Sequence, residues 1–365
     1  MKDCEFILKQ DGKISRLTDK TFNFDNQIQN GFYSAKYFLK TQQILGQQSF
    51  SAIVLLQFFQ RKEKATLCGI DEAIALIKKF AKNYNKLEIK ALHDGDRISA
   101  FEPVLTIKGE YKDFGFLEGI IDGILARRTS LATNASNLVN LLNPNQEIIF
   151  MGDREDIYTT QSGDGYAVNI GGIKKVATDA MGAWTGVKGI GTMPHALIQN
   201  FNGNLVKACQ AYIDTFPDEP LIALVDYNND IVIDSLKVAH EFGQRLTAIR
   251  VDTSPTMVDK YFLRNLDHMG SFDPRGVNSE LIKVLRRSLD KEGFHHVKII
   301  ASGNFDYEKI KQFQGDSTPV DIYGVGSSLL KIKIGFTGDC VELNGKPQAK
   351  LGRKKLDSDR LTLIR

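Results

Sequence analysis

The chain has 365 residues, 42% hydrophobic and 25% charged, with 47 basic side chains against 44 acidic ones and a net charge of +3. So even a balance argues against a protein whose partner is a nucleic acid or a membrane surface, and 9 prolines with 31 glycines exclude a disordered or fibrous chain. The length exceeds one ordinary core and predicts two domains, or a large α/β barrel carrying an extra module.

The start, Met1-Lys2-Asp3-Cys4-Glu5, lacks an apolar run, and no stretch reaches the roughly 18 apolar residues that cross a bilayer. A cytoplasmic protein is expected. Cys4, Cys68, Cys209 and Cys340 lie far apart, with no paired spacing, and predict reduced thiols rather than a disulfide framework or a zinc site.

The first third mixes helices with short strands. Tyr33 to Leu45 reads as a helix, Ser51 to Phe59 as a strand, and Asp71 to Tyr84 as a helix with Ala73, Ile74, Ile77 and Phe80 on one face. A turn at His93-Asp94-Gly95-Asp96 precedes a strand at Val104 to Ile107. Leu117 to Leu142 is a long helical pattern stopped at Asn143-Pro144 and plausible as a connector. From residue 147 the texture changes to short, almost wholly apolar strands, each closed by a polar or glycine turn: Glu147 to Met151, Leu221 to Val225, Leu246 to Val251, Val297 to Ala301 and Val320 to Gly324. Buried parallel strands read this way, in a doubly wound sheet or a β/α barrel. Polar residues at the strand ends and glycine turns after the last two strands favour the barrel, which keeps its chemistry and its phosphate sites there.

Two such turns, Ser302-Gly303-Asn304 and Gly324-Val325-Gly326-Ser327, are small enough for backbone amides to approach a phosphate, although glycine after a strand is commonly only a turn. Arg250 and Asp252 flank Val251 and share one strand face with each other, so they either pair together or serve a ligand; Asp226 ends the preceding strand. His195, in Gly191-Thr192-Met193-Pro194-His195, reads either as a structural histidine or as a nucleophile or acid beside phosphate. Tyr33, Lys36, Tyr37 and Lys40 lie on one helix face, which either packs inward or stacks on a flat heterocycle. Arg127 and Arg128 are adjacent, so at least one reaches solvent or an anion.

Taken in order, Ser34 to Thr41, Phe101-Glu102-Pro103-Val104-Leu105, Leu125 to Ser130, Gly191 to Ala196, Ala223 to Asp226, Ile249 to Asp252, Ala301 to Asn304, Gly324 to Gly326 and Gly345 to Arg353 resemble nicotinate phosphoribosyltransferase in its short bacterial and archaeal form. The resemblance implies an α/β fold: an N-terminal α/β sandwich domain over residues 1–115, an incomplete β/α (TIM-like) barrel over 116–335, and a tail over 336–365 that packs back on the first domain. It implies a homodimer with shared active sites, and nicotinate and phosphoribosyl pyrophosphate as substrates, with Mg²⁺ and with ATP as co-substrate. Carried over residue by residue, Arg250 would hold the nicotinate carboxylate and Tyr37 or a neighbour would stack on the pyridine. Asp226 and Asp252 would serve ribose and Mg²⁺-pyrophosphate. Ser302, Gly303, Asn304, Gly324, Gly326 and Ser327 would cradle the 5′-phosphate, and Lys40, Arg128, Arg154 and Thr192 would contact the substrates. His195 would be the phosphorylated histidine of the ATP-coupled step. Two departures bear on metal and pyrophosphate contacts: Ala35 and Lys40 stand where the family has an acid and an arginine, and Asp252-Thr253-Ser254-Pro255 lacks the family's glycine and second acid.

Rival expectations are a quinolinate or nicotinamide phosphoribosyltransferase and a non-catalytic phosphosugar-binding barrel. Quinolinate needs a denser basic pocket, and nicotinamide would leave Arg250 without a carboxylate.

Overall fold

The computed structural model describes residues 16–48 and 51–364, with the side chain of His268 left out. The Met1 to Glu5 stretch, with Cys4, lies outside them. Helix α1 (Lys36–Gln47) buries little besides Phe38, whereas strand β1 (Ile53–Gln60) is apolar and buries Leu56, Phe58 and Phe59 almost completely. Burying side chains of this size stabilises by about 1.5–3 kcal/mol each. Helix α2 (Ile70–Phe80) has Asp71 and Glu72 in its first turn and Lys78 and Lys79 in its last, complementing its dipole, and turns Ile70, Ala73, Leu76, Ile77 and Phe80 inward. Strands β2 (Glu88–Ala91) and β3 (Leu105–Glu110) join β1 in an antiparallel sheet in the order β1-β3-β2.

Helix α3 (Glu118–Val139) then serves two cores. Ile121 and Leu125 in its first half pack with Leu56, Phe58 and Leu76, while Leu131, Ala132, Ala135 and Leu138 in its second half pack with the residues of the following sheet.

That second sheet comprises β4 (Glu147–Phe150), β5 (Lys175–Val176), β6 (Leu221–Leu224), β7 (Leu246–Val251), β8 (Lys298–Ala301) and β9 (Ile322–Val325). All pairs are parallel and the order is β5-β4-β9-β8-β7-β6. Six parallel strands make the incomplete barrel that the family resemblance implies; α4 (Gln161–Ile170), α5 (His195–Asn200), α6 (Leu205–Thr215), α7 (Ile231–Phe242), α8 (Ser279–Lys291) and α9 (Tyr307–Gly315) fall between the strands. The inner face carries a small apolar layer of Ile149, Ala248, Ile300 and Ile322.

The chain finally returns to the first sheet. Strand β10 (Phe336–Leu343) runs antiparallel against the free side of β1, β11 (Lys346–Pro347) extends that edge, and β12 (Thr362–Leu363) pairs with β2. The N-terminal sheet thus has six strands, half of them from the C-terminal tail. Cys68 and Cys209 are buried free thiols and Cys340 is a half-buried one. Among the described residues no helix is long and apolar enough to cross a membrane.

Candidate active site

A parallel sheet puts the C-terminal ends of its strands on one side, and there lies a cavity of about 360 Å³. Its floor is apolar: Ile149 and Met151 from β4 and its end, Ile222 and Leu224 from β6. Its polar wall is Arg250 from β7 and Asp252 just past its end, Asp153 and Arg154 after β4, and Thr192 and His195 ahead of and at the start of α5. Five residues singled out from the sequence therefore meet in one place. Met151 and Asp153 were missed, yet strand alternation carries the signal: Ile149 and Met151 share an inward face, as do Ile222 and Leu224.

Arg250 and Asp252 do pair, at 2.9 Å, without leaving the cavity. Arg250 Nε also donates to Ser302 Oγ at 2.9 Å, and that hydroxyl donates to Asp252 Oδ1 at 2.9 Å, closing a three-residue ring. A guanidinium has five N–H donors, so a forked edge of Arg250 is still open to a ligand. Asp226 lies behind His195, whose Nε2 is 3.1 Å from Asp226 Oδ2. Burial raises the Asp226 carboxyl above the usual range and the histidine draws it partly back. Its other oxygen, Oδ1, is buried with no hydrogen-bond partner among the described residues.

The two glycine turns flank this cavity without lining it. The hydroxyl of Ser302 is committed to Asp252, which removes it from the expected set of phosphate donors. Gly303 and Asn304 both have positive φ, 105° and 53°. Gly324 lies inside β9 rather than in a turn: a Cβ there would sit 2.8 Å from Met151 Sδ and 2.9 Å from Ser302 Cβ, so close packing is what requires glycine. Past β9 the chain turns at Gly326, with Ser327 exposed. Among the described residues, none of the amides of Gly303, Asn304, Phe305, Gly326, Ser327 and Ser328 has an acceptor within the protein. Concave runs of free amides of this kind bind anions.

Arg128 is placed elsewhere. It is buried between Glu72 and Asp164, bonded to each at 2.8 Å, with its guanidinium 5.4 Å from the Trp184 ring, so its charge is neutralised inside the protein and no edge faces the cavity. Arg127 shares Asp164 and adds Asp156. Tyr37 and Lys40 are exposed on α1 and lie outside the lining of this cavity. Arg154 is exposed and bonds to nothing among the described residues.

Residues 38–129 match the family described as quinolinate phosphoribosyl transferase, N-terminal domain. The chain is 23% identical over 245 residues to the nicotinate phosphoribosyltransferase of Bacillus subtilis (strain 168), covering 66% of this chain and 45% of that protein. It is 24% identical over 279 residues to nicotinate phosphoribosyltransferase pncB1 of Mycobacterium tuberculosis (strain ATCC 25618 / H37Rv), covering 74% and 54%. The likeness to nicotinate phosphoribosyltransferase holds. The chain spans about half the length of these curated relatives. Among solved structures, a nicotinate-nucleotide pyrophosphorylase from Pyrococcus furiosus superposes with a TM-score of 0.77 at 29% identity, over 91% of this chain and 80% of that one. Human nicotinic acid phosphoribosyltransferase gives 0.67 at 17% identity, over 88% and 77%, a likeness of fold.

Proposed function

We propose that this chain transfers the phosphoribosyl group of phosphoribosyl pyrophosphate to nicotinate, releasing pyrophosphate and forming nicotinate mononucleotide for NAD salvage. The observation that carries this reading is the open guanidinium edge of Arg250 in a cavity with an apolar floor, beside two turns of free amides. A flat ring with one carboxylate suits the first, and a sugar phosphate suits the second.

The chemistry asks little of the protein. Nicotinate nitrogen attacks the anomeric carbon as the bond to pyrophosphate breaks, through a cationic sugar, so positioning and charge neutralisation suffice. Asp252, fixed by Arg250 and Ser302, and Asp226 are the carboxylates beside that carbon in this reading. Among the described residues no group of three or more His, Cys, Asp or Glu is placed to hold a metal by itself. The unpartnered Asp226 Oδ1 and the neighbouring Asp252 are nonetheless hard oxygen donors that fit Mg²⁺ together with substrate oxygens. The ion, when bound, supplies neutralisation of the leaving pyrophosphate.

The coupling to ATP is assigned to His195. It stands half-exposed at the cavity edge, with a buried carboxylate at 3.1 Å to hold its ring. The homodimer is assigned to the exposed aromatic face around α1, where Phe32 is 65% and Tyr37 64% exposed, closing over the cavity of a second copy. Sedimentation of the purified chain as a monomer would remove that part.

The deciding assay supplies phosphoribosyl pyrophosphate and Mg²⁺ with nicotinate, nicotinamide or quinolinate, and detects the mononucleotide. Nicotinate is expected to be preferred. Preference for either rival base overturns the substrate, and no product from any of the three leaves a binding protein.

A further inference from the structure

Lys309, in the first turn of α9, points back beneath the Ser302-Gly303-Asn304 turn. Its Nζ donates to the Gly303 carbonyl oxygen at 3.0 Å and lies 4.4 Å from the Phe305 ring centre and 6.0 Å from that of Phe313. Among the described residues no carboxylate comes within ion-pair distance of it; Asp306, which caps α9, supplies the negative charge that acts on it from farther off. Burial lowers its pKa, so the ammonium is held here at a cost in solvation.

That position has a consequence for the turn. No peptide bond in the described chain is cis, and in a trans peptide the carbonyl and the following N–H point in opposite directions. The Gly303 carbonyl and the Asn304 N–H belong to one such unit. A cation holding the carbonyl from behind therefore aims the Asn304 amide at the opposite side and polarises it into a stronger donor. The amide so aimed is one of those left without an acceptor. The second turn is clipped to the same loop, because Ser328 Oγ donates to the Phe305 carbonyl at 2.8 Å and the Phe305 ring packs on Phe313 and Tyr323.

We propose that Lys309 is a positioning residue for the 5′-phosphate of the phosphoribosyl substrate, acting through the Gly303–Asn304 peptide without touching the ligand. The proposal rests on the phosphoribosyltransferase reading and adds to it a cation that no strand-end pattern reveals.

The test compares the full-length protein with Lys309→Met, Lys309→Gln and Lys309→Arg. Loss of one charge-assisted hydrogen bond behind the turn should raise the KM for phosphoribosyl pyrophosphate about tenfold in Lys309→Met. The inhibition constant of ribose 5-phosphate should rise in parallel. The KM for nicotinate and the inhibition constant of pyrophosphate, which do not use the turn, should stay within about twofold, and Lys309→Arg should recover most of the loss. Lys309→Gln, which keeps a donor without the charge, should fall between, and serves if the Met variant does not fold. Unchanged constants for both 5′-phosphate ligands, or equal losses for every ligand, overturn the proposal. Wild-type protein that neither makes the mononucleotide nor binds ribose 5-phosphate in calorimetry sinks the parent reading with it, whereas wild-type binding that Lys309→Met leaves intact sinks the positioning role alone.

Discussion

Replacing Arg250 by Gln tests how the base is chosen. Of its five N–H donors, one at Nε serves Ser302 and one at Nη2 serves Asp252, each at 2.9 Å, which leaves three for a ligand. A carboxylate taken by two of them loses two charge-assisted hydrogen bonds in Arg250→Gln, together about 3 kcal/mol, or roughly a hundredfold in kcat/KM for nicotinate. The variant also strips Asp252 of its cation and Ser302 of a donor, which slows every base alike. The informative quantity is therefore the ratio of kcat/KM for nicotinate to that for nicotinamide, measured by mononucleotide formation. The common loss cancels, and the ratio should fall by about two orders of magnitude, with Arg250→Lys intermediate because it keeps the charge and loses the fork. A ratio that stays within about threefold of wild type means that the carboxylate does not sit on Arg250, and the strongest support for nicotinate is gone.

Three further outcomes are expected. His195→Ala should abolish stimulation by ATP while leaving basal transfer measurable, read as the rate with and without ATP; persistent stimulation removes the histidine from that step. Gly163→Ala, on α4, places a Cβ 1.9 Å from Arg128 Nη2, and displacing that guanidinium from Asp164 should cost about 3–5 kcal/mol of stability in thermal melts; an unchanged melting temperature would mean that the ion pair relaxes freely. Asp94 is buried, accepts hydrogen bonds from the Ile70 amide and the Tyr166 hydroxyl, and is pushed up to about 8 by burial and then by the charge of Asp71. The folded chain therefore holds a proton that the unfolded chain has lost above about pH 4, so stability should decline as pH rises from about 4 to 8. Melting curves across that window should show the decline weakened in Asp94→Asn, and an equal slope in both proteins removes Asp94 as its source.

The barrel was legible because its strands are short and mostly apolar, Glu147–Phe150 and Lys298–Ala301 burying every residue after the first, and Leu246–Val251 was read to the residue although Thr247 is exposed and Arg250 lines the cavity. Lys175–Val176 was not, since a strand of two residues has no periodicity to detect. Phe336–Leu343 contains Gly338 and Asp339 and owes its strand form to β1, a partner far back in the chain, so only the family resemblance pointed to its return. The site divides in the same way. Arg250 and Asp252 announce themselves by their places at a strand end, and His195 by its compact Gly/Thr/Pro setting, whereas the neutralisation of Arg128 depends on Glu72 and Asp164, 56 and 36 residues away, and leaves no local trace. Glycine is the ambiguous letter: Gly303 serves a left-handed turn, Gly324 a tight strand packing, and the two look alike in the sequence.

The pairing of β10 with β1 also bears on synthesis. The Ile53 amide meets the Asn344 side chain across 291 positions, a distance that a ribosome takes about 15–60 s to cover. For that interval one edge of β1, with its run Ile53-Val54-Leu55-Leu56 and the pair Phe58-Phe59, is open to any other extended chain. The nascent N-terminal half is thus the stage at which aggregation threatens, and a chaperone that shields exposed strand edges would raise the yield of this protein more than one that acts after release.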